Sequence, residues 1–276
     1  MDFKIKSQIS KKSACKKGQV TIFVIISLLL VVAIILLFIL YKNQQIPGVR
    51  VEKTSGEELE SCIKSYLEEA VDLIFENSGY IELPELTYQI RNIYGYYKQE
   101  NEKKIPYLCY TAINYVRCIP QEPFFVNHIE DEIKNFIIPK VEICFENLRN
   151  RLQERNYETM FGITKNLDVE LNERGVQIYI EKEISQTKAE KEERFSEFKS
   201  NYKTRLYDVA KISEKIITEE VKFCNSDYVE VMRNNKLIEI TKFQTGDDVK
   251  VYSVKDLPSK KEFKFAVRNC VLATPS

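Results

Sequence analysis

Seven cysteines and a single histidine set the limits on the chemistry this chain can carry. Multi-histidine metal sites are excluded by count. A nucleophile relay would have to run through His128, which lies inside a helical pattern beside Ile129 and reads as a packed or surface ring. No nucleophile-elbow, phosphate-loop or dinucleotide fingerprint occurs, and with 8 glycines in 276 residues a phosphate-cradling loop has little to be built from. Neither a nucleotide nor any other cofactor is expected, and no metal. Carboxylates are plentiful, with Glu130, Asp131 and Glu132 in one set and Asp247 and Asp248 in another. Their spacing singles out no acid-base pair, because the first set falls on the polar side of a helical pattern and the second follows Gly246 in a turn.

The cysteines carry more information. Cys15 precedes a long apolar run, and Cys62, Cys109, Cys118, Cys144, Cys224 and Cys270 follow it. In an oxidising compartment the six form up to three disulfides, and the sequence leaves the pairing open. Cys109 and Cys118 are close enough to staple a local loop, which makes them the first expected pair. Cys62 and Cys144 lie on the apolar stripes of two helical patterns, so their sulfurs can meet if those helices pack. The competing reading is buried free thiols acting as small apolar residues. The tyrosines also cluster: Tyr80, Tyr88, Tyr94, Tyr96, Tyr97, Tyr107, Tyr110 and Tyr115. Exposed members, with Tyr94, Tyr96 and Tyr97 as candidates, offer ring area and a polar tip to a partner; strand packing is the alternative.

The apolar run itself, Val20 to Tyr41, has 22 residues and no ionisable side chain before the terminal Tyr41 phenol. At about 1.5 Å per residue a helix of this length spans roughly 33 Å, enough to cross a bilayer. Lys4, Lys6, Lys11, Lys12, Lys16 and Lys17 precede it, whereas only Lys42 and Arg50 follow closely. That asymmetry places the N-terminus in the cytoplasm and the bulk of the chain outside. A removed secretory signal has a shorter apolar core and a small-residue cleavage site, so a retained anchor is expected. The 41 basic and 41 acidic residues balance over the whole chain, but residues 1–46 hold seven lysines and one aspartate. The remainder is mildly acidic and has no basic field for nucleic acid.

Beyond the anchor the patterning predicts an α+β fold, helix-rich first and strand-rich afterwards with an antiparallel sheet. The divisions are a basic cytoplasmic tail over 1–19, a transmembrane helix over 20–41, a linker with Pro47 and Gly48 over 42–54, a helix-rich part over 55–155 and a strand-rich part over 156–276. Ser55-Gly-Glu-Glu58 has capping-box form, and a stripe from Leu59 to Ile74 follows it until Asn77-Ser78-Gly79. Short strands or a hairpin are expected between Tyr80 and Tyr97. Phe125, Ile129, Ile133, Ile137, Val141, Phe145, Leu148 and Leu152 form one helical stripe, which Pro139 should kink or break near Ile138. Alternation over Leu167–Leu171 and Val176–Ile180 flanks an Asn-Glu-Arg-Gly turn and predicts a hairpin. A helix returns from Leu206 to Val221. Tyr228–Met232, Leu237–Phe243, Val249–Val254 and Phe263–Cys270 read as strands, the first two joined by a turn at Asn234-Asn235.

Two resemblances bear on function. Lys16-Lys17-Gly18-Gln19, followed at once by the apolar run, resembles the archaeal prepilin signal, which implies cleavage between Gly18 and Gln19 with Lys17 in the recognition flank. Counted from Gln19 the fifth residue is Phe23, where pilin subunits usually carry the glutamate that pairs with a neighbour's terminal amine. The stretches KKGQVTIFVI, CIKSYLEEA with SGYI, IPYLCY, PKVEICFENL and EFKFAVR are similar to a group of uncharacterised archaeal single-pass envelope proteins. That resemblance implies location and architecture, and carries over no catalytic residue. The expected function is a non-enzymatic, membrane-anchored extracytoplasmic protein that binds envelope partners or itself. The alternatives are a pilin-like subunit assembled through the apolar helix, and an outer-face hydrolase using paired carboxylates.

Overall fold

Periodicity decides the elements, and burial decides how they meet. The computed structural model describes residues 25–36, 55–89, 104–245 and 248–271. Residues 25–36 are helical (α1), with their apolar side chains exposed. Among the described residues no helix is long and apolar enough to cross a membrane; the rest of the apolar run lies outside them. Residues 1–52 and 53–276 are two separate units.

The second unit contains α2 (Ser55–Glu76), β1 (Thr87–Gln89), β2 (Lys104–Tyr110), β3 (Ile119–Pro120) and α3 (Phe125–Glu154). It continues with β4 (Glu158–Asn172), β5 (Gly175–Lys188), β6 (Lys191–Tyr202), α4 (Leu206–Phe223), α5 (Tyr228–Asn234), β7 (Ile238–Gln244), β8 (Val249–Asp256) and β9 (Glu262–Arg268). This is α+β, with a helix-rich first half. One sheet runs β1-β2-β9-β8-β7, with β3 on β2, and the other is the meander β4-β5-β6. All pairings are antiparallel except β2 with β9, which lie parallel. An early strand is thereby drawn into the sheet of the late ones.

The helical stripes behave as their spacing requires. Leu59, Ile63, Leu67, Ala70, Val71 and Ile74 of α2 are buried, as are Ile129, Ile133, Ile137, Val141, Phe145, Leu148 and Leu152 of α3. Both helices face each other and cover the β4-β5-β6 meander. Of the kink or break expected at Pro139, the break does not occur: the helix runs 30 residues through it. Pro139 is on the exposed side. A proline costs a helix interior about 3 kcal/mol, and nine buried side chains on the opposite stripe outweigh that. At the start of α2, Glu58 directs its carboxylate to Arg155, which donates from 2.7 Å.

A second correction concerns Tyr228–Met232, which is helix rather than strand. Asp227 caps it by accepting from the Glu230 amide at 3.1 Å, and only Val231 is buried, so a short helix satisfies the segment. Asn235 therefore ends a helix instead of joining two strands. The hairpin at Leu167–Ile180 forms with Asn172 opposite Gly175. Charged residues 191–202, which carry little alternation, form β6 because they pair along β5 from Lys191 to Tyr202, with one register shift between Glu181 and Ile184.

Gly175 has φ +117°, and a Cβ added there would lie 2.2 Å from the Tyr202 carbonyl oxygen. Gly175→Ala is expected to destabilise the domain by on the order of 1–3 kcal/mol in denaturant unfolding. Gly56→Ala, with open space around it in α2, should leave stability unchanged or raise it by up to about 1 kcal/mol.

Candidate functional site

The chemistry-bearing side chains collect in two places: a buried cluster beneath α4 and an open groove between α3 and β4. The cysteines frame the first. Cys62 of α2 is bonded to Cys144 of α3 with Cα atoms 5.8 Å apart, Cys109 to Cys118 at 5.4 Å, and Cys224 to Cys270 at 5.8 Å. Among the pairings the sequence left open, the fold therefore takes one that joins the two long helices, one that closes a local loop, and one that ties the end of α4 to the segment after β9.

Within the second and third of these disulfides sits a polar cluster. Leu206, Val209, Ala210, Ser213, Ile216 and Ile217 line the buried face of α4, and the next position on that face is Glu220, which is 0% exposed. Its Oε2 lies 2.7 Å from Lys250 Nζ on β8, and the Tyr252 hydroxyl donates to its Oε1. Burial, reinforced by the Glu220 charge, holds the Tyr252 phenol well above its ordinary range. Asn269 donates from Nδ2 to Glu220 Oε2 at 3.3 Å and to the Glu220 carbonyl. Lys250 also donates to the Cys224 carbonyl, and the Cys118 amide donates to Asn269 Oδ1 at 2.8 Å. No candidate named from the sequence belongs to this cluster except the cysteines that frame it. The signal was there: a glutamate on an apolar helix stripe and a lysine in register with Tyr252 and Val254.

The groove encloses about 730 Å³ between Lys134, Ile138, Glu142 and Arg149 of α3 and residues 161–167 of β4. Those α3 positions recur along one helix face. β4 is an edge strand whose register with β5 shifts twice between Phe161 and Asn166. Such bulges turn a sheet edge away from further strand pairing and re-aim its side chains. Here they leave Ile163 81% exposed beside exposed Ile138. Lys182 is buried in the floor, 2.7 Å from Glu142 and over the Phe145 ring. Arg149 stacks on Phe161 at 4.9 Å, and Lys134 pairs with Asp168 at 3.4 Å. An apolar lip with charges of both signs suits a peptide or protein segment.

The remaining candidates have structural surroundings or fall outside view. Lys17, Gly18, Gln19, Tyr94, Tyr96 and Tyr97 lie outside the described residues. Tyr88, Tyr107 and Tyr110 pack edge to face on β1 and β2, with centroids 6.0 and 4.9 Å apart. His128 packs against Tyr80 with ring centroids 4.7 Å apart, and its Nδ1 lies 3.5 Å from Glu122. Burial, and then the Glu122 charge, pushes the Tyr80 phenol far up. Glu130 and Glu132 do more than face solvent: they accept from the Leu171 and Ile81 amides at 2.8 and 2.7 Å, pinning β4 and the loop after α2 to α3. Asp248 accepts from Gln244 at 3.0 Å. Among the described residues no group of three or more cysteine, histidine or carboxylate side chains is placed to hold a metal.

Burial alone would raise the Glu142 carboxyl, but hydrogen bonds from Lys182 and Thr164 outweigh it and hold the group below its ordinary 4.5. A depressed carboxyl stabilises the fold above its unfolded value, and that contribution disappears as pH falls through the folded one. Stability measured by urea unfolding is therefore expected to fall as pH drops below about 4.5, and Glu142→Gln should reduce this slope.

Compared with known proteins, the chain matches no family model, no curated protein and no solved structure.

Proposed function

We propose that this chain is a membrane-anchored extracytoplasmic protein with a non-enzymatic structural or partner-binding role in the cell envelope. The observation that supports this reading is the pairing of all six cysteines after the apolar run into three disulfides. Such bonds persist in oxidising compartments and are rare where thiols are kept reduced. The lysine-rich flank before the run and the exposed apolar face of residues 25–36 favour the same arrangement, since a surface of this kind needs lipid or protein to cover it. The α3–β4 groove, with its apolar lip, is the surface through which the domain would engage an envelope neighbour. The role is structural in emphasis because the groove's charged groups, Glu142 and Lys182 above all, are already bonded to each other.

Two measurements test this, one on isolated membranes and one on intact cells. The protein should remain in the membrane fraction after alkaline carbonate washing. An impermeant thiol reagent should label Cys62, Cys144, Cys224 and Cys270 only after reduction. Release by carbonate, or labelling without reduction, would overturn the reading.

A further inference from the structure

We propose that Lys250 and Asn269 are joined by an intramolecular isopeptide bond, formed with Glu220 as the proton carrier. The three side chains meet in one buried cluster. Lys250 pairs with Val267 across β8 and β9, so Lys250 and the residue two beyond its partner, Asn269, lie on the same side of the sheet, toward α4. There the Lys250 amine and the Asn269 amide nitrogen both reach one oxygen, Glu220 Oε2, at 2.7 and 3.3 Å. The Cys118 amide already holds Asn269 Oδ1, the atom on which negative charge would develop. Glu220, Lys250 and Asn269 are all buried, as are Tyr252 and Phe265 beside them.

The step balances without an oxidant or a cofactor. Glu220 takes a proton from the Lys250 ammonium, and the freed lone pair attacks Asn269 Cγ. Carbonyl electrons move to Oδ1, where the Cys118 N–H receives them. As the tetrahedral carbon collapses, the Cγ–Nδ2 bond breaks. Two protons pass in all from Nζ through the Glu220 carboxylate to Nδ2, so that one ammonium ion leaves and Glu220 ends as it began. The new bond is a secondary amide between Nζ and Cγ. The Cys224–Cys270 disulfide supports the geometry from both sides, since Cys224 offers its carbonyl to Lys250 and Cys270 follows Asn269 directly. Fixed reactants of this kind need no further catalyst than positioning and a proton relay.

The test uses the full chain extracted in detergent, reduced, digested with protease and mapped by mass spectrometry. Mapping at peptide level keeps processing after Gly18 from confusing the result. The expected product is a branched peptide linking Lys250 to Asn269, lighter than its two linear parts by one ammonia, with no cleavage by trypsin after Lys250. Glu220→Gln keeps the shape but cannot carry the proton, and should return both peptides in linear form. Recovery of linear Lys250 and Asn269 peptides from the unsubstituted protein, with tryptic cleavage after Lys250, would overturn the proposal, whether or not the variant folds.

Discussion

A charge placed where an apolar side chain belongs governs the second half of this domain. Glu220 occupies the buried stripe of α4, and a carboxylate there is tolerable only if every lone pair is met. Meeting them recruits Lys250 and Tyr252 from β8 and Asn269 from the end of β9, while the Cys118 amide and the Cys224 carbonyl complete the partners' own needs. The helix can therefore dock on the sheet in only one rotation and at one height. Apolar contacts of α4 alone would permit small slides along its stripe. The carboxylate does not.

The same constraint explains the placement of two disulfides. Cys118 and Cys224 each supply a backbone group to the cluster, and Cys270 adjoins it, so a thiol pair locks each contributing segment. The pair between α2 and α3 has a different role. It ties together two helices that already share a long apolar seam, and Glu58 with Arg155 closes that seam at one end.

What the sequence made legible follows from how much of each element's character is local. The α3 stripe, the α2 stripe and the hairpin around Gly175 are each written in one stretch of chain, and all three form. Two elements were not readable for opposite reasons. Tyr228–Asn234 alternates like a strand over too few residues to decide, and a cap at Asp227 tips it to helix. β6 has almost no apolar pattern, and its strand state comes from β5, with Phe195 opposite Ile184 and Phe198 opposite Ile180. The parallel pairing of β2 with β9 joins segments far apart in sequence, which no local pattern can announce. At the site, the cysteines were legible by type and the groove was not, because its shape arises from bulges in β4. Glu220 and Lys250 were visible as single polar residues within apolar patterns, and only the fold shows that they answer each other.

The three cross-links also divide the molecule mechanically. The first closes a loop of 82 residues and contains the second; the third closes one of 46. Tension applied between the start of α2 and Val271 would bypass both enclosed lengths. Between the two loops, residues 145–223, the end of α3, the β4-β5-β6 meander and α4, remain free to pay out, at roughly 3.5 Å for each residue drawn straight. The domain is thus built as two cross-linked ends joined by one extensible middle, and a load applied across it would be taken up there first.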